Sequence, residues 1–174
     1  MKKLIAFTLF VFFASAVLKA QDEKKLKFSV GAELSIAAGS FSNNSSFGVG
    51  GTGQVEINLQ EKLYGTGTSG ILFYNGKSVP NTNTKRTGIV IIPVRVGAKY
   101  FLVGGVYGAA QLGVAFISNN VDYNGTAFAY SPLIVGYEFK TKSDKSFDAA
   151  IKYDAYSVSG GTIGTFGARF AYVF

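Results

Sequence analysis

The ten residues from Thr165 to Phe174 alternate without a break. Phe166, Ala168, Phe170, Tyr172 and Phe174 fall on one face of an extended chain; Thr165, Gly167, Arg169, Ala171 and Val173 fall on the other. Successive side chains of a strand point to opposite faces, so a period of two is the mark of a β-strand between two different environments. The aromatic-rich face carries no charge, and the sequence ends on Phe174. A bare aromatic at the end of such a strand suits a closing strand turned toward lipid better than a solvated tail.

The same parity runs through the chain. It predicts strands over Leu26–Ala37, Gly48–Gln60, Leu63–Tyr74, Ile89–Phe101, Val106–Ile117, Thr126–Phe139 and Phe147–Tyr156, with the closing strand as the eighth. The third is the least regular, because its centre is rich in Gly, Thr and Ser and Leu72-Phe73-Tyr74 does not alternate. Pro132 predicts a bulge in the sixth, since proline cannot donate to a ladder. Polar loops (39–47, 75–87, 118–125) interleave with short turns at Glu61-Lys62, Val103–Gly105 and Lys140–Ser146. Long and short connections in turn describe an all-β, eight-stranded antiparallel up-and-down barrel. The connection after the seventh strand is shorter than this rhythm expects.

Charges within the strands obey the parity. Lys27, Glu33, Glu56, Arg95, Lys99, Glu138, Asp148, Lys152, Asp154 and Arg169 all share the polar face. A soluble barrel also alternates, with its apolar face inward. The glycines on the polar face (Gly31, Gly48, Gly97, Gly113, Gly136 and others) suit a crowded small lumen instead. Aromatics recur near strand ends, at Phe28, Tyr64, Tyr74, Tyr100, Tyr137 and Phe147 among others, where membrane interfaces favour them. The expectation is therefore a transmembrane barrel with its charges inside.

The N-terminus supports export. Met1-Lys2-Lys3 is basic, Leu4 to Val17 is apolar and uncharged, and polarity returns at Gln21-Asp22-Glu23. This is the pattern of a secretory signal peptide. It predicts a leader over residues 1–20, cleaved after Ala20 or alternatively after Ala16, and a barrel domain over 21–174. As an anchor helix the run is shorter than the ~20 residues a span requires. The chain carries +7; removal of Lys2, Lys3 and Lys19 leaves 7 − 3 = +4, too little to argue for nucleic acid as a partner.

Composition also limits the chemistry. The chain has no Cys and no His, which excludes disulfides, thiolate and imidazole metal sites, and a Ser/His dyad. No cofactor and no catalytic residue is expected. Five acids and five bases sharing an eight-stranded lumen, which side chains can fill, point to a paired network, the lumen charges Glu33, Glu56, Arg95, Lys99, Glu138, Asp148, Lys152, Asp154 and Arg169 together with Lys27. The other reading of these charges is a narrow channel for small solutes or ions, lined by Arg95, Lys99 and Arg169. The glycine-rich run Gly48–Gly53 opens no helix and so lacks the context of a phosphate loop. The loop over 75–87 holds Lys77, Lys85 and Arg86 without an acid, which suits contact with lipopolysaccharide phosphates or with an acidic envelope protein, if it is more than a solvated tip.

Ile91-Ile92-Pro93-Val94-Arg95-Val96-Gly97-Ala98-Lys99-Tyr100-Phe101, followed by a tight turn and a Gly/Ala-rich strand, resembles the centre of the PorT-like outer-membrane β-barrel-domain proteins of Bacteroidetes. Gly136–Phe139, Phe147–Asp154 and Gly167–Phe174 are similar to that family's later strands. The resemblance implies a small eight-stranded barrel in the outer membrane of a Gram-negative bacterium, inserted by the outer-membrane assembly machinery. The ending, with Phe170, Tyr172 and Phe174, also resembles the assembly signal of outer-membrane proteins. That signal has Gly five residues before the final aromatic; here Arg169 holds that place and Gly167 lies two earlier. The family implies no single activity, because a fold does not dictate function. The function expected is structural, accessory or one of surface interaction.

Overall fold

The structure, a computed structural model, describes residues 26–78, 86–119, 124–141 and 145–174. The predicted signal peptide lies outside the described residues. Eight strands follow one another: β1 Leu26–Ala38, β2 Ser45–Gln60, β3 Leu63–Gly76, β4 Ile89–Phe101, β5 Val106–Asn119, β6 Asn124–Lys140, β7 Ser146–Val158 and β8 Gly161–Val173. Each pairs antiparallel with its neighbour in sequence, and β1 pairs with β8 to close the barrel.

Closure turns the two faces of every strand into an inside and an outside. Val30, Leu34, Ile36, Val96, Leu112, Ile151, Phe166 and Phe170 are exposed, while Glu33, Arg95, Lys99, Asp148 and Asp154 are buried. A water-soluble barrel has the opposite arrangement. Contiguous apolar surface of this extent is not left to water by soluble proteins.

The connection before β2 departs from the expectation, whereas the third strand and the bulge at Pro132 follow it. The loop anticipated over 39–47 is a single 3₁₀ turn, Gly39–Asn43, and β2 already begins at Ser45, with its register shifted between Ser45 and Gly48. The third strand is complete. Leu72-Phe73-Tyr74 fails to alternate because both environments are apolar there: Leu72 and Tyr74 point inward and Phe73 outward. Tyr64 and Tyr74 therefore do not belong to an outer aromatic ring. At Pro132 the pairing with β7 shifts between Tyr130 and Leu133. Ser131 and Ile134 are both buried while Pro132 and Leu133 are both exposed, as a bulge requires.

The interior has two zones. At the end bearing the longer connections, Phe41 of the 3₁₀ turn folds into the lumen over Leu72, Tyr74, Ile91, Ile117 and Tyr156. Phe41 meets Tyr74 edge to face at 5.4 Å, and Ser35 Oγ donates to the Tyr74 hydroxyl at 2.7 Å. Tyr74 has room because residue 48 is glycine; a Cβ there would lie 2.5 Å from the ring. The polar zone fills the rest of the barrel toward the end that carries the β2–β3, β4–β5 and β6–β7 turns.

Candidate functional site

The charged residues of the lumen come from six of the eight strands, because the parity of each strand sends the same face inward. They form two layers. The layer nearer the short turns centres on Lys99 of β4. Its Nζ lies 2.9 Å from Glu56, 3.4 Å from Glu138 and 3.4 Å from Asp148. It also sits 4.0 Å from the centre of the Tyr107 ring, whose hydroxyl donates to Asp148 at 3.0 Å. Lys27 reaches Glu138 at 2.9 Å, and Ser146 donates to the same carboxylate. Arg169 of β8 lies 3.4 Å from Asp148 and donates at 2.9 Å to Thr52 and to Ser29.

The second layer lies closer to the apolar zone. Asp154 is held between Arg95 at 2.6 Å and Lys152 at 2.9 Å, and Ser131 donates to it as well. Lys152 also pairs with Glu33 at 2.8 Å. Each of the five acids thus faces a lysine or arginine, and each of the five bases faces an acid. Burying a charge in a low-dielectric interior costs several kcal/mol, and a partner with good geometry offsets most of it.

This arrangement limits what the site can do. The space between Glu56, Glu138 and Asp148 is taken by an ammonium, and among the described residues no group of three acidic side chains is arranged to hold a metal. Between the layers lies a small cavity of about 20 Å³ beside Gln54, Gln111 and Tyr107, room for about one water. The apolar zone covers the network at its other end.

Reasoning from sequence identified the ten charges. It missed their neutral partners Ser29, Thr52, Tyr107 and Ser131, and it missed Phe41. Tyr107 shares parity with Gln111 in β5, which was the available signal. Phe41 gave only the oddity of an aromatic in a Ser/Asn stretch.

The other candidate residues lie elsewhere. Phe170, Tyr172 and Phe174 are on the outer face, where Tyr172 meets Phe147 at 5.4 Å and Phe174 at 4.8 Å. Val173 is buried within, and the Phe174 amide donates to the Phe28 carbonyl at 2.8 Å. Lys77 and Arg86 are exposed at the end bearing the longer connections. The Arg86 amide donates to the Lys77 carbonyl at 2.9 Å. Lys85 lies outside the described residues.

No family model matches the sequence, and neither does any curated protein. Solved structures do match in fold. The chain is similar to Ail, the attachment invasion locus protein of Yersinia pestis, with a TM-score of 0.59 and 13% identity, covering 87% of this chain and 100% of that one. Ail has also been crystallised in complex with the heparin analogue sucrose octasulfate. Neisserial surface protein A gives a TM-score of 0.60 at 12% identity, covering 85% of this chain and 94% of its own. The outer membrane protein OprG from Pseudomonas aeruginosa gives 0.50 at 10% identity, covering 87% and 97%. At such identities the likeness is one of fold: the chain is a closed eight-stranded antiparallel barrel of the kind found in small outer-membrane proteins.

Proposed function

We propose that this protein is a non-conducting barrel of a Gram-negative outer membrane, with a structural or surface-interaction role and no catalytic one. In this reading residues 1–20 are a cleaved signal peptide, and the outer-membrane assembly machinery inserts the mature chain. The PorT-like group of Bacteroidetes is the family we favour for it. The observation that carries the proposal is the inverted barrel: apolar outside, and inside a charge network that neutralises itself beneath an apolar plug. A channel for small solutes or ions would need a continuous polar path, and the packing around Phe41 and Tyr74 argues against one.

The test combines location and conduction. The protein should fractionate with the outer membrane, migrate differently on a gel before and after boiling, and leave a planar bilayer electrically silent. Recovery as a soluble periplasmic species would sink the membrane reading; stepwise conductance of the purified protein would sink the closed lumen.

With short turns facing the periplasm, the β3–β4 connection faces outward. We assign it the surface role. Lys77, Lys85 and Arg86 would lie near the phosphorylated sugars of lipopolysaccharide or an acidic envelope partner, each charge contributing about 1 kcal/mol near an anionic surface. A barrel of this fold, Ail, has been crystallised in complex with the heparin analogue sucrose octasulfate. Replacing all three by Gln should leave the gel shift intact and weaken binding to lipopolysaccharide vesicles, the difference disappearing at high salt. Wild-type binding by the triple variant at low salt would reduce the loop to a solvated tip.

A further inference from the structure

Below the charge network, at the end bearing the short turns, the barrel opens into a basin of about 410 Å³, within the size range of small-ligand sites. Three lysines stand around it: Lys27 on β1, Lys62 in the β2–β3 turn and Lys140 at the end of β6. Among the described lining residues they face one acid, Glu61. Lys27 is committed to Glu138 at 2.9 Å. Lys62 and Lys140 are exposed, and neither forms an ion pair with another described residue, so the described lining of the basin carries an excess of positive charge. Its floor is aromatic. Tyr64 and Phe101 meet edge to face at 5.5 Å, and Lys27 Nζ lies 5.2 Å and 5.7 Å from the two ring centres.

We propose that this basin binds a small amphiphilic anion, a phosphate or carboxylate joined to an apolar or ring-bearing body. Lys62 and Lys140 receive the oxyanion through charge-assisted hydrogen bonds, and the exposed parts of Tyr64 and Phe101 receive the body. The buried network seals the floor, so the ligand enters and leaves by the same mouth; the basin is a binding site and not a stage of a pathway. That this mouth opens to the periplasm rests on the orientation proposed above, whereas the binding itself does not.

The experiment uses the purified barrel in zwitterionic detergent, shown to be folded by its shift on boiling, and titrates it by calorimetry with phenyl phosphate, inorganic phosphate and phenol. Phenyl phosphate should bind saturably, with inorganic phosphate and phenol each at least about tenfold weaker. Lys62→Gln with Lys140→Gln should weaken phenyl phosphate by about tenfold, the loss expected for a charge-assisted contact. Tyr64→Leu should erase its advantage over inorganic phosphate, and Lys77→Gln, at the opposite end, should change nothing. Absence of saturable binding to the folded protein, or an unchanged affinity in the double lysine variant, overturns the proposal. An unchanged preference in the Tyr64 variant overturns it as well. Because the titration reads a folded barrel in detergent, its failure is distinct from a failure to locate the protein in the outer membrane.

Discussion

Lys99 shows how much one side chain can hold. Its ammonium is within 3.4 Å of three carboxylates contributed by β2, β6 and β7, and it is almost fully buried. Removing it leaves those carboxylates facing one another in a low dielectric. Lys99→Met should therefore destabilise the barrel by about 3–5 kcal/mol, the range for breaking a buried pair by deleting one partner. Among the described residues Lys27 pairs with one carboxylate, and its side chain is 30% exposed; Lys27→Met should cost about 1 kcal/mol or less, as exposed pairs do. Urea unfolding of both variants in lipid vesicles, followed by circular dichroism, measures the difference. Equal midpoints would mean that the lumen is hydrated enough to screen Lys99, and the network would lose its structural standing. Reading the sequence placed Lys99 on the inner face but could not name its partners, because parity sets direction only, while contact across a lumen depends on how eight strands are staggered.

Among the elements, β8 binds the molecule together. It pairs with β7 on one side and β1 on the other, and its two faces do different work. Phe166, Phe170 and Phe174 are exposed outside, while Arg169, Ala171 and Val173 are buried. If the assembly machinery reads the outer aromatic row, changing Tyr172 and Phe174 together to Ala should lower the amount inserted in cells, whereas Val173→Ala should lower it less. Quantifying the heat-modifiable form in outer-membrane fractions checks this, and equal insertion of the two variants would dispose of the assembly-signal reading. Strand β8 was legible from sequence because one environment lies wholly on each side of it. Strand β3 was harder to read for the opposite reason: its inner face changes from Thr66 and Thr68 to Leu72 and Tyr74 partway along, so the contrast on which periodicity depends fades. The 3₁₀ turn and its inserted Phe41 were hidden by the polar residues around them.

For the whole molecule, the fold class and the number of strands were legible because every strand repeats one binary choice. The plug at one end and the basin at the other were not. Both arise from side chains remote in sequence that meet only on closure. The ion pairs carry the same lesson into time. Lys99 pairs with Glu56, Glu138 and Asp148, Arg95 with Asp154, Lys27 with Glu138 and Lys152 with Glu33, so most bonds cross the lumen between strands far apart in the chain. Strands β1–β4 bring Lys27, Glu33, Glu56, Arg95 and Lys99, a charge of 3 − 2 = +1; β5–β8 bring Glu138, Asp148, Lys152, Asp154 and Arg169, a charge of 2 − 3 = −1. A half-built sheet would show uncompensated ions to hydrocarbon, each costing about 2–4 kcal/mol for a base near the midplane. Part of the network is therefore unpaired in either half alone, and the opposite net charges of the two halves favour closure of the seam between first and last strand. The lumen's neutrality is thus a property of the closed barrel, complete only when all eight strands are in place.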